Sequence, residues 1–322
     1  MNLDLLISNL SSPALLFFAL GIFAVQVKSD LNIPENSSKF ISLYLLFSIG
    51  FKGGQELSHS TFSLEILWSV LLGVTFSIIV PIYSFFLLKK KLGVQNAGAI
   101  AAAYGSVSAV TFVTASTFLE AQGMQFSGYM VAVMALMEAP AIVIGVLLLR
   151  LNDQNENNEK LKIGKLIGHS LSNGSVLLIL GSLVIGFLAN EEQAQGIKPF
   201  TTDLFKGFLA IFLLDMGIVS GKGLGVFKRY GWFTIIFAIV IPLINGIAAA
   251  LISSLVTSDP SNRFIFSILA ASASYIAVPA AMKLAAPRAN PGLYVPMALA
   301  VTFPFNISLG MPLYMMVIMN TN

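Results

Sequence analysis

Five small polar residues carry the chemistry this sequence offers. Ser106 and Ser108 stand in AYGSVSAVTFVTA, residues 103–115, and Ser272, Ser274 and Tyr275 stand in ASASYIAVPA, residues 271–280. In both stretches a run of alanines inside an apolar segment leads into hydroxyls. Gly105 and its small neighbours let the backbone leave helical geometry, and Pro279 is expected to break the second helix. A helix restarting at Ser106 or Ser272 offers unpaired N–H groups and the positive end of its dipole, and serine is a good N-cap. Two such ends converging from opposite sides make a site for a small anion that needs no Arg or Lys. The competing explanation is that small and hydroxyl residues only let helices pack closely. Recurrence at two matched places favours the site, with Gly105, Ser106, Ser108, Ser272, Ser274 and Tyr275 as its candidate residues.

Two acidic residues, Glu138 in MEAPAIV and Asp215 in LLDMG, lie inside apolar runs. Ionisable groups there are costly and usually functional. Each is a candidate cation ligand, proton acceptor or hydrogen-bond partner of another helix. Thr111, Thr302 and Asn306 join them as ion-coupling candidates, the last two because they frame Pro304. Asn245 and Ser308 are expected to bond neighbouring helices. Lys52 and Lys222 stand near the ends of apolar runs and are expected to snorkel.

The elements that must position these residues follow from composition. The chain has 322 residues, 56% hydrophobic and 10% charged, with a mean hydropathy of +0.84. Soluble domains are nearer 25% charged, so this is an integral membrane protein. A net charge of +3 does not suggest a nucleic-acid partner. There is no cysteine and there are two histidines, His59 and His169, far apart. Thiolate metal sites and thiol catalysis are excluded. No GxxxxGK[ST] stretch appears, which argues against an ATP-driven pump. The start, MNLDLL, lacks the basic residues of a signal peptide.

Ten spans are expected: Pro13–Val27, Phe40–Phe51, Phe62–Leu88, Ala97–Leu119, Gly128–Leu151, Leu171–Ala189, Leu204–Ser220, Trp232–Leu255, Phe264–Ala285 and Leu293–Met319. A polar, Asn-rich stretch divides them, giving a first repeat at 1–151, a cytoplasmic linker at 152–170 and a second repeat at 171–322. With both termini outside, 14 of the 18 Lys and Arg fall in inside loops, as the positive-inside rule requires. Lys52, Lys198, Lys206 and Arg263 are the outside four. Ser11 and Ser172, Gly50 and Gly217, Ser106 and Ser272, and Pro140 and Pro304 match at offsets of 161 to 167 residues. Five spans per repeat make the second repeat inverted, an arrangement secondary transporters use to place substrate where broken helices meet. The expected fold is therefore an all-α membrane protein of two five-helix inverted repeats, with broken fourth and ninth helices.

GSVSAVTFVTA, ASASYIAVP, PRANPGLY and the proline-containing last span together resemble the sodium-dependent bicarbonate transporter family over essentially the whole chain, closest to its bacterial permease branch. ANPGLY is similar to that family's ANPSAY-like segment. The resemblance implies a homotrimer in the plasma membrane, a core domain moving against a gate domain in an elevator-like cycle, and no enzymatic activity. It implies bicarbonate at the ends of the two broken helices, on Gly105, Ser106, Ser108, Ser272 and Ser274. Sodium is implied alongside, with Ser106, Ser108 and Ser274 available to it. Cyanobacterial members also bind a PII-like regulator on the cytoplasmic face. This chain departs from the pattern at Tyr275, where the family carries an acid, and at Ala277, where a serine follows. A tyrosine hydroxyl is a weaker cation ligand than a carboxylate. Another small anion, or proton coupling through Glu138 or Asp215, are the alternatives. A channel remains open as a third class. An intramembrane hydrolase would need a base near Ser106, and His169 falls in the linker.

Overall fold

The computed structural model describes residues 11–59, 63–153, 174–223 and 231–321, and in these it contains helices and no strands. Helices are what an apolar solvent demands, because every backbone N–H and C=O must be satisfied within the chain. In order they are α1 (Pro13–Gln26), α2 (Glu35–Ser58), α3 (Leu64–Gly105), α4 (Ala109–Ala121), α5 (Tyr129–Asn152), α6 (Gly174–Leu188) and α7 (Glu191–Lys198). There follow α8 (Phe205–Gly223), α9 (Trp232–Ile252), α10 (Pro260–Ala271), α11 (Ala277–Ala285) and a last helical segment, α12 (Pro291–Met319). Five helical stretches among the described residues are long and apolar enough to cross a membrane, and α1 and α6 are shorter apolar helices. This is a multi-pass membrane protein. Of the polar linker, only its first two residues are described.

Several expected boundaries are corrected. The second span is longer than Phe40–Phe51, because the helix starts directly after Pro34. The third and fourth spans are not separated by a loop at 89–96. Two helices meet directly at Gly93 within Leu64–Gly105, so the two spans are separate as expected but joined by a one-residue turn, where φ is +78°, a conformation open to glycine at little cost. The helix break comes later, at Ser106–Ser108. The ninth span breaks at residues 272–276, ahead of Pro279. Pro279 lies in the first turn of α11, where its missing N–H removes no intrahelical bond. The segment before Phe205 holds an additional amphipathic helix, α7, started by a capping box between Asn190 and Gln193. In α12 the turns Met297–Thr302 and Asn306–Gly310 widen to π geometry. Pro296, Pro304 and Pro312 in this segment cannot donate to an α-helical ladder.

The helices pack in two sets. α1 lies on α8 and α2 on α6, while α3 lies on α5 and α9 on α10. Glycines set the closeness of the first set. A Cβ on Gly21 would meet the backbone of Gly217 at 3.0 Å, and one on Gly54 would meet that of Gly186 at 2.9 Å. Between lipid-facing helices without a hydrophobic drive, such close backbone approach supplies the packing energy.

Substituting Gly186 by Ala is expected to destabilise the protein by about 1–3 kcal/mol, since the added methyl has to displace the Phe51 backbone, at 2.9 Å. Gly181→Ala, where nothing lies within 4 Å, is expected to be neutral or mildly stabilising. Thermal unfolding of the two variants in detergent checks the contrast.

Candidate functional site

A broken helix inside a membrane protein leaves orphan carbonyls on one side of the break and orphan N–H groups on the other. Here the two breaks satisfy one another. The Ser108 amide donates to Ser272 Oγ at 3.0 Å, and the Ser274 amide donates to the Ala103 carbonyl at 2.8 Å. The Ser272 hydroxyl in turn donates to the Leu269 carbonyl at 3.0 Å. Asn306 donates to the Ala271 carbonyl, the end of α10, at 2.8 Å. Its own carbonyl oxygen accepts from Tyr314 at 3.2 Å. Thr302 donates to the Ala238 carbonyl at 2.7 Å and pairs with the Tyr104 hydroxyl at 2.8 Å. Thr302 and Asn306, both at the widened turns of α12, therefore fasten the broken ends in place.

The sequence-level candidates separate by what their polar atoms already do. Ser108 is the N-cap of α4 and accepts from the Thr111 amide at 3.2 Å. Ser274 accepts from the Val278 amide at 3.4 Å. Both hydroxyls thus accept from their own helix and keep a proton to donate. Ser272 has spent its proton on Leu269. Ser106 Oγ is buried with no hydrogen-bond partner, a costly state unless something polar arrives. Gly105 acts by absence of a side chain. A methyl there would overlap the Pro81 ring and approach Ala141 Cβ at 3.2 Å.

Tyr275 packs edge-on against Phe303, with ring centroids 6.3 Å apart, and its hydroxyl lies 3.9 Å from Met216 of α8. It forms a wall between the breaks and the other helix set. A small cavity of about 20 Å³ lies at the crossing. Ser108, Ser274, Tyr275 and Glu138 line it, together with the first residues of α4 and α11. Glu138 is 9% exposed, and its Oε1 has no partner.

Asp215 is not brought to this place. It accepts a short hydrogen bond from Ser38 of α2 and ties α8 to α2. Asn245 accepts from the Tyr83 hydroxyl of α3, a contact between neighbouring helices as expected, whereas Ser308 donates back to the Pro304 carbonyl of its own segment at 2.6 Å. Lys222 is exposed in the last turn of α8, in keeping with snorkelling. Lys52 does otherwise. It pairs with Glu120 at 3.3 Å and lies 5.3 Å from the centre of the Phe205 ring. His59 ends α2 at the surface, and His169 lies outside the described residues.

Three of the four basic residues expected outside meet in one cleft. Lys52, Lys198 and Lys206 line a cavity of about 780 Å³ between α2, the end of α4, α7 and the start of α8. Glu56, Glu120 and Asp203 face it too. The fourth, Arg263, is buried and donates to the Ala250 carbonyl at 2.9 Å and to Thr321 at 2.8 Å. No spacing in the sequence brings the three lysines together, since α2 and α7–α8 are far apart in the chain. Tyr104 also escaped sequence reading. Its only signal was its position directly before Gly105.

Truncating Asn306 to Ala strands the Ala271 carbonyl and leaves the Tyr314 hydroxyl to the Pro242 carbonyl alone. The expected loss is about 1–3 kcal/mol, read as a lowered Tm in detergent. Lys52→Gln is expected to cost under about 1 kcal/mol, because both partners are about one-third exposed.

The profile of the Na+-dependent bicarbonate transporter superfamily matches residues 13–319. Among curated proteins none matches the chain.

Proposed function

Because this chain belongs to the Na+-dependent bicarbonate transporter superfamily, we propose that it is a secondary active transporter of a small anion, bicarbonate, taken up with sodium. The observation that carries the reading is the crossing of the two breaks, tied by Ser108 to Ser272 and by Ser274 to Ala103. It aims the starts of α4 and α11 at one point. Each helix start contributes about half a positive charge. Unpaired amides of the first turns and the hydroxyl protons of Ser106, Ser108 and Ser274 are the donors the anion meets. A site made of partial charges and hydroxyls holds an oxyanion without the tight grip of Arg or Lys. Transport needs that, because the anion has to leave on the other side.

The rest of the reading is an elevator-like cycle. The set α1, α2, α6 and α8, locked by its glycine crossings, serves as the gate. The set carrying the breaks moves against it. Recurrence of the close glycine crossing, once for α1 with α8 and once for α2 with α6, supports two inverted five-helix repeats. The 780 Å³ cleft lies between the two sets and is the approach to the site from outside, given the charge distribution that puts both termini there. Assembly as a homotrimer in the bacterial plasma membrane, and a PII-like regulator on the cytoplasmic face, complete the proposal.

In liposomes holding the purified protein, labelled bicarbonate uptake is expected to saturate and to require an inward sodium gradient. Ser108→Ala and Ser274→Ala each remove one donor and are expected to raise KM about tenfold, the equivalent of one hydrogen bond. No uptake with or without sodium, in folded protein, removes bicarbonate as substrate. Uptake that follows the gradient without saturating makes the protein a channel.

A further inference from the structure

Three lysines in a row, Lys89, Lys90 and Lys91, end the first half of α3, just before the turn at Gly93. Two of them are held over aromatic rings. Lys89 donates to the Asn152 side chain at 3.3 Å, and its ammonium lies 4.5 Å from the centre of the Phe86 ring. The Lys91 ammonium lies 4.0 Å from the centre of the Phe233 ring, in the first turn of α9. Lys90 and Lys91 are exposed. Among the described residues no carboxylate pairs with any of the three. Asp153, the acid at the neighbouring end of α5, accepts from Gln95 and from Arg288 instead, the latter at 2.8 Å. The side chains around the lysines therefore leave their charge unbalanced.

Two apolar stripes start at this place. Along α3, Lys90 continues the exposed row Ile79, Ile82, Phe86, at helical spacing. Along α9, Trp232 begins the exposed row Ile236, Val240, Ile244, each four residues on. At 1.5 Å per residue each row is about 16–18 Å long, close to half of the ~30 Å hydrocarbon core. Each therefore covers about one leaflet. Trp232, 78% exposed, stands where its row ends, the depth indoles take at a membrane–water interface. The two ammonium groups lie at that same depth, where the nearest anion is a lipid phosphate. Any phospholipid can cover the stripes. Only one without a cationic headgroup group of its own meets the lysines without repulsion, so the lysines select for net negative charge.

We propose that Lys90 and Lys91, with Trp232 beside them, bind the headgroup of an anionic phospholipid between the first half of α3 and the start of α9. The ammonium groups take the phosphate, and the indole N–H adds a neutral donor. Because Gly93 follows directly, a bound headgroup ties the bend of α3 to α9. The site is separate from the helix breaks and does not depend on which anion the protein carries.

Trp68 and Trp232 are the two tryptophans of the chain. Trp68 lies at the far end of the first half of α3, so Trp68→Phe leaves Trp232 as the one indole reporter. The purified full-length Trp68→Phe protein is placed in mixed micelles with phospholipid brominated on its acyl chains, which quenches a tryptophan it touches. Phosphatidylglycerol is expected to quench Trp232 at a mole fraction about tenfold lower than phosphatidylcholine, at about fivefold per lysine near the surface or somewhat less. In the same background Lys90→Gln with Lys91→Gln is expected to erase this preference, and Lys90→Arg with Lys91→Arg to keep it. Raising the ionic strength is expected to reduce it where the lysines are intact. Equal quenching by the two lipids at low salt overturns the proposal. So does a preference that survives the double glutamine change. A preference unaffected by salt overturns it as well, and that result needs no lysine variant.

Discussion

The hydrogen-bond exchange between the two helix breaks is the constraint on which the rest of the structure depends. Inside an apolar protein an unpaired backbone group is costly. Breaking α3 from α4 and α10 from α11 exposes several such groups at once. Ser108 N–H to Ser272, Ser274 N–H to Ala103, and Asn306 to Ala271 take up part of them. Each break is tolerable because the other lies against it. Neither segment would hold this shape in isolation.

From that exchange follow residue choices that look unrelated along the chain. Gly105 lacks a side chain because the Pro81 ring of the same kinked helix fills the space. The kink at Gly93 lets α3 double as the partner of α5 and the carrier of the first break. The prolines of α12 open wide turns, and Thr302 and Asn306 use those turns to reach Ala238 and Ala271. A regular helix would distribute its side chains differently around the axis.

The polar inventory also divides by purpose once packing is known. Asp215 and Glu138 look alike in sequence, single acids in apolar runs. One is satisfied by Ser38 and ties helices together. The other has an unpaired oxygen at the crossing. What separates the two is the neighbours each meets. The lysines divide similarly. Lys222 extends to the surface from the last turn of α8, whereas Lys52 crosses a cleft to Glu120.

The sequence by itself determined the solvent, the helical class and the places where helices had to fail. Apolar runs of bilayer length, their separation by charged loops, and alanine-serine clusters at matched positions are local properties, and local rules read them. It also named Ser106, Ser108, Ser274 and Glu138 as polar groups needing a reason. What it misplaced were boundaries set by one residue's geometry. Gly93 turns a helix where a loop was expected, and Pro279 starts a helix where a break was expected. Only the tertiary structure decided which hydroxyl was already spent, which acid had a partner, and which lysines share a cleft. Those outcomes depend on distances between residues more than a hundred positions apart. Hydrophobic periodicity carries no information about them, because any helix face that is apolar enough satisfies it.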